Sequence, residues 1–197
     1  MEKEDLSNGY ERVANEYIQI RGRNIRGIGS ESIRRWAKEF QPHSSILDLG
    51  CGTGIPVTKI LIEYGIHAFA IDASPTLVQT FRENFPHTPI NCEAIEDSKF
   101  FDREFDGIIA IGLIFLLPKE VQERLIEKSA NALKMGGKLM FTSPQIKTSW
   151  EDLLTGEVST SLGALNYKEI LKKNGFNLIQ EFKDEGDNYY FNSIKIR

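Results

Sequence analysis

The chain has 197 residues, with 28 acidic against 24 basic side chains and a net charge of −4. That length fits one domain with a core of ordinary size, and the acidic balance weighs against a protein that grips nucleic acid mainly through phosphates. Two cysteines, Cys51 and Cys92, are too few for a disulfide framework. No stretch approaches the length of a membrane span, and the start Met1-Glu2-Lys3-Glu4-Asp5 has no apolar signal core, so a soluble cytoplasmic protein is expected.

In chain order, Tyr10, Val13, Ala14, Tyr17 and Ile18 fall on one helical face, and Ile33, Trp36, Ala37 and Phe40 on the next. Arg21–Gly29 between them is a basic, glycine-spaced linker. Ile46–Leu49 reads as the first strand, followed by a helix with Val57, Ile60, Leu61 and Tyr64 inward and Gly65 at its stop. Ala68–Ile71 reads as the second strand, ended by Asp72. Ser74 and Pro75 then suit the N-cap and first turn of a helix. Pro89–Cys92 is a short third strand, and Ile108–Ile111 a fourth whose unbroken apolar run suits a covered parallel strand.

Lys119–Lys134 is a helix, and Gly136-Gly137 turns into the fifth strand, Lys138–Thr142. Asn166 and Glu169 make a capping-box-like start to a short helix that stops at Gly175. Phe176–Phe182 and Tyr189–Ile196 read as two strands on so short a connection, Lys183–Asn188, that they must be antiparallel. Strands alternating with helices predict an α/β, Rossmann-like, doubly wound sheet. No repeat or linker divides the chain, so one domain over 1–197 is expected.

The segment that carries chemistry is Ile46-Leu47-Asp48-Leu49-Gly50-Cys51-Gly52-Thr53-Gly54. An apolar strand runs into an acid and three alternating glycines, where open α/β sheets bind nucleotide-like ligands. The dinucleotide fingerprint needs its third glycine three positions after the second, and Ile55 stands there. A phosphate-cradling P-loop is excluded as well, because no Gly-Lys-Ser/Thr ending follows. The three histidines, His43, His67 and His87, show no metal-ligand spacing, and no metal is expected.

This glycine segment resembles motif I of the class I S-adenosylmethionine-dependent methyltransferases, apolar-apolar-Asp-apolar-Gly-x-Gly-x-Gly, at every position. The resemblance implies seven strands in the order 3-2-1-4-5-7-6 with the last antiparallel, helices on both faces, and residues 1–40 as an N-terminal helical lid. It implies S-adenosylmethionine as cofactor and S-adenosylhomocysteine as product. Gly50 and Gly52, with Cys51 between them, would let backbone approach the methionine tail and ribose. Asp48 either orients the loop or reaches the ligand's ammonium through a water.

Asp72, about twenty residues beyond the loop, is where such folds place an acid for ribose hydroxyls, and Ala73 and Leu77 would pack on the adenine. Glu93, Ala94 and Ile95 stand where the family carries an acid for the adenine amino group and a backbone N–H for a ring nitrogen; aspartate is commoner in the acid slot. Phe105–Gly112 resembles the fourth motif, with Ile111 and Gly112 bordering the sulfonium. Leu113–Leu117 is apolar where many relatives place a histidine pair, and either seals the site from water or, the preferred reading, belongs to the core. Leu133–Leu139 resembles a structural Leu-Lys-Pro-Gly-Gly turn with Met135 replacing proline. Arg21, in the lid with Tyr10 and Tyr17, would pair with the methionine carboxylate.

Trp150, Asn188 and Tyr189 fall in segments that form the acceptor pocket in relatives. The expected activity is methyl transfer to a small-molecule N, O, S or C acceptor. The alternatives are an RNA or protein methyltransferase and a non-catalytic cofactor-sensing or scaffold protein on the same fold. No catalytic base, oligomeric state or pathway follows from the residues.

Overall fold

A computed structural model of the protein describes residues 5–24 and 27–197. Residues 1–4 of the expected lid and 25–26 of the expected linker lie outside the described residues. The strands in chain order are β1 (Ser45–Leu49), β2 (His67–Asp72), β3 (Ile90–Cys92), β4 (Phe105–Ala110), β5 (Leu133–Thr142), β6 (Thr148–Glu151), β7 (Val158–Ser161), β8 (Phe176–Lys183) and β9 (Tyr189–Lys195). Seven of them build one sheet in the order β3-β2-β1-β4-β5-β9-β8. The first five pair in parallel, and β9 runs antiparallel to both β5 and β8. This is the expected topology. The pair β6–β7 is a separate antiparallel hairpin that the sequence reading did not anticipate.

Among the described residues six α-helices complete the fold: α1 (Ala14–Ile20), α2 (Ser30–Ala37), α3 (Val57–Glu63), α4 (Pro75–Asn84), α5 (Lys119–Ala132) and α6 (Ala164–Lys173). They cover both faces because the central strands are apolar on both. Alternate residues point to opposite faces. Leu47, Ile108, Leu139, Phe141 and Phe191 pack with Leu125 and Ile126 of α5 and with Tyr167 and Leu171 of α6. Ile46, Ile109, Met140 and Tyr190 pack on the other face with Ile33 and Trp36 of α2 and Ile60 and Leu61 of α3. The indole of Trp36 donates to Asn192 Oδ1 at 3.2 Å, tying α2 to the antiparallel edge.

Several element boundaries differ from the expectations. Tyr10 and Val13 precede α1 in a series of turns, so the first helix is only two turns long. β5 starts at Leu133, straight after α5, and continues through Gly136-Gly137. α6 has no capping box. Gly163 precedes it, and Asn166 turns its amide back to the Leu162 carbonyl at 2.6 Å. The N-cap of α4 is as expected, since the Ser74 hydroxyl accepts from the Leu77 amide at 3.2 Å and Pro75 opens the helix.

Candidate functional site

A cavity of about 960 Å³ opens at the carboxyl ends of β1, β2, β4 and β5. Its floor begins with the glycine loop. Gly50 and Gly52 have φ of +65° and +55°, a region closed to most side chains. A Cβ on Gly50 would press on Leu113 at 2.9 Å, and one on Gly52 would press on the Tyr17 hydroxyl at 3.1 Å. The loop is held from β2. Asp72 Oδ2 accepts from the Gly52 amide at 2.8 Å, and its Oδ1 accepts from the Ser74 amide at 2.9 Å. Burial pushes the Asp72 carboxyl above its usual range against these hydrogen bonds. The Ala73 backbone also bonds the carboxylate, which has about four lone-pair sites and so keeps acceptor capacity, and the residue lines the cavity.

The other expected site residues divide. Arg21, Ala73, Leu77, Ile95 and Ile111 line the same cavity, as do Trp150, Asn188 and Tyr189. Asp48, Cys51, Glu93 and Ala94 lie off its wall. Asp48 is buried beneath the loop and accepts from the Thr58 hydroxyl at 2.7 Å; burial first, then the nearby Asp72, push its pKa up to about 7. This geometry fits the loop-bracing reading of Asp48. The Cys51 thiol is buried and pushed up for the same reason. Glu93 points back along its own strand end, accepting from the Asn91 amide at 3.1 Å. In place of Glu93, the neighbouring Glu96 reaches the cavity wall beside Ile95.

The N-terminal segment covers the opening. Glu11 accepts from the Thr76 hydroxyl at 2.7 Å, from the Thr76 amide at 3.1 Å and from the Ser74 hydroxyl, so it closes the N-terminus of α4. Arg12 pairs with Glu157 at 2.5 Å, and the Tyr10 hydroxyl bonds Asp152, so the same segment also holds the β6–β7 loop. Burial, with Asp152 beside it, raises the Tyr10 phenol to about 12. The Thr53 hydroxyl donates to the Gly22 carbonyl at 2.8 Å, closing the ring from lid to glycine loop.

The wall continues into the turn after β4. Leu113, Phe115, Leu116 and Leu117 face the cavity, and only Ile114 of that run turns wholly into the core. The Gly112 amide donates to Thr142 Oγ1 at 2.8 Å, and a Cβ there would meet nothing within 4 Å, so this backbone opens onto free space. Asn8 also lines the cavity, and its buried Nδ2 has no hydrogen-bond partner. A ligand that carries acceptor atoms satisfies it. In the hairpin Thr148 and Trp150 lie opposite Ser161 and Ser159, around an Asp152–Gly156 turn.

Residues 46–137 match the family described as a methyltransferase domain. The match covers just under half of the chain. The chain is similar to the probable tRNA methyltransferase 9B of Homo sapiens, 30% identical over 145 residues that make up 71% of this chain and 29% of that protein. It therefore spans less than a third of that relative. It is 27% identical to the carboxy-S-adenosyl-L-methionine synthase of Cronobacter sakazakii, over 86% of this chain and 70% of that one.

Among solved structures, the N-methyltransferase NodS of Bradyrhizobium japonicum, in complex with S-adenosylhomocysteine, superposes with a TM-score of 0.73. That match has 16% identity and covers 98% of this chain and all of NodS. The methyltransferase domain thus supplies the glycine loop, both following strand ends and the β4 turn, while the lid, the hairpin and the β8–β9 loop lie outside residues 46–137. Among the described residues, no helix is long and apolar enough to cross a membrane, and no cluster suits a metal ion.

Proposed function

We propose that the protein is a methyltransferase that binds S-adenosylmethionine across the glycine loop and Asp72 and passes its methyl group to a small molecule. The observation that carries this reading is the Asp72 carboxylate, pinned by the Gly52 and Ser74 amides at the cavity floor with acceptor capacity to spare. The family match, the cavity at the strand ends and the open backbone at Gly112 support it.

In this reading Asp72 takes the ribose hydroxyls, and Ala73, Leu77 and Ile95 flank the adenine. Gly50 and Gly52 give backbone room to the methionine tail, and Arg21 takes its carboxylate. Gly112 and Ile111, fixed by the Thr142 hydroxyl, border the sulfonium. The cofactor supplies an already activated methyl group. The chain's own task is alignment and exclusion of water, which contributes roughly 7–11 kcal/mol in favourable cases. Residues 5–24 act as the lid, latched through Glu11 and Arg12, whereas α2, expected in the lid, packs in the core against the sheet.

Calorimetric titration with S-adenosylhomocysteine, followed by a labelled-methyl assay against metabolite, tRNA and protein fractions, tests the reading. Binding with label in the metabolite fraction is the expected result. Label in tRNA would move the acceptor to RNA, a second reading that the similarity to tRNA methyltransferase 9B favours. Binding without label anywhere would leave a sensor or scaffold.

A further inference from the structure

The acceptor end of the cavity has a chemistry of its own, and the inference from it rests on the cofactor placement proposed above. Phe115, from the turn after β4, and Trp150, from β6, meet with ring centroids 5.3 Å apart and planes tilted by 49°. Tyr189 brings a third ring from β9 to the same cavity, and Leu116, Leu117 and Pro144 line it as well. At the mouth, the exposed apolar side chains of Ile20, Ile28 and Ile146 line the way in. Apolar side chains left in water around a cavity mark what the cavity is built to receive.

Apart from the Asn8 Nδ2, which has no partner, the polar groups at this end are already engaged with the protein. Asp152 Oδ1 accepts from the Leu154 and Thr155 amides, each at 3.0 Å, and the carboxylate also holds the Tyr10 hydroxyl. Asp187 pairs with Lys183 at 3.0 Å. The Asn188 amide is spent on Asp184 at 2.9 Å, and the Tyr189 hydroxyl donates to Glu181 at 2.9 Å. His43, His67 and His87 lie away from the wall. A general base helps only where the acceptor must lose a proton in the step, and these groups are arranged to hold structure.

We infer that the acceptor is a flat, apolar aromatic molecule that enters as an anion, an aryl thiolate, and seats its ring on the Phe115–Trp150 pair. Such a thiol ionises in water near neutral pH, so the site need not take its proton. The thiolate lone pair forms the new sulfur–carbon bond while the methyl–sulfonium bond breaks and its electron pair stays on the departing sulfur. An anion and a cation become two neutral thioethers. A wall of low polarity favours that cancellation of charge over a reaction that leaves a new ammonium behind.

The test uses benzenethiol, phenol and aniline, which share one ring, with the whole protein. Titrated into the S-adenosylhomocysteine complex, benzenethiol binds, and Trp150→Ala weakens it about tenfold or more while S-adenosylhomocysteine affinity stays within about twofold. With S-adenosylmethionine present, mass spectrometry finds the methyl thioether at a rate about a hundredfold above methylation of phenol. The rate rises with the thiol's own ionisation. Phenol or aniline methylated as fast as the thiol overturns the inference. So does an S-adenosylhomocysteine complex that neither binds nor methylates benzenethiol. Loss of S-adenosylhomocysteine binding itself would strike the cofactor placement first, and with it this inference.

Discussion

The Gly52 amide donates to the Asp72 carboxylate at 2.8 Å across a gap of twenty residues in the chain. One side chain therefore fixes the shape of the first strand–helix crossing and presents oxygen at the second. Shape and recognition are separable by substitution. Asp72→Asn keeps one oxygen for the Gly52 amide and loses the charge, and we expect S-adenosylhomocysteine to bind about tenfold more weakly. Asp72→Ala also frees both amides, and the expected loss is about a hundredfold or more by calorimetry.

The lid latch gives a second prediction. Burial works to raise the Glu11 pKa, but hydrogen bonds from Ser74 and Thr76 outweigh it and hold the carboxyl below its usual value. A depressed carboxyl contributes stability that is present above its unfolded pKa and is lost as pH falls through the folded one. Glu11→Gln should therefore speed amide exchange at Thr76 and Leu77 by several-fold at pH 7. The difference from wild type should shrink in acid.

Asp48 predicts the opposite pH dependence. Burial lifts its folded pKa from an ordinary 3.8 to about 7, so the folded state holds a proton that the unfolded state releases. Stability from this group is complete below about pH 4 and is lost as pH climbs towards 7. Asp48→Asn cannot ionise, and its amide oxygen still accepts from Thr58. We expect the variant to gain roughly 1–3 kcal/mol over wild type between pH 5 and pH 8 in denaturant titrations.

Lys128 on α5 holds the wall that Ile95 and Glu96 present to the cavity. Its ammonium donates to the Ile95 carbonyl at 2.8 Å and the Glu96 carbonyl at 3.2 Å, with the Phe100 ring centroid 4.8 Å away. Lys128→Met keeps the stem and removes the donors. S-adenosylhomocysteine affinity should fall about threefold to tenfold without a change of fold by circular dichroism. Unchanged affinity would show that the loop holds its shape without the ammonium.

How far the sequence could be read depended on how local the cause was. The strands themselves followed from apolar runs, turn glycines and one short connection, all of them local, whereas their order came from the resemblance carried by the glycine segment. The Ser74-Pro75 start of α4 is local too. The β6–β7 hairpin escaped because its strands are polar and only half covered, so no apolar period marks them. Glu93 was assigned from motif position, yet the loop beyond Cys92 turns Ile95 and Glu96 to the wall instead, held by a lysine that lies over thirty residues further on. Phe115 reads as core until Trp150 arrives from a distant hairpin to make it a wall. Contacts of that range leave no pattern in one chain.

The central claim is that an adenosyl ligand lies over Gly50 and Gly52 with its ribose at Asp72. A crystal structure of the protein grown with S-adenosylhomocysteine tests it most directly. The account predicts both ribose hydroxyls within hydrogen-bond distance of the Asp72 carboxylate and the adenine between Leu77 and Ile95. A ligand bound away from Asp72, or a cavity that stays empty at saturating concentration, would contradict it.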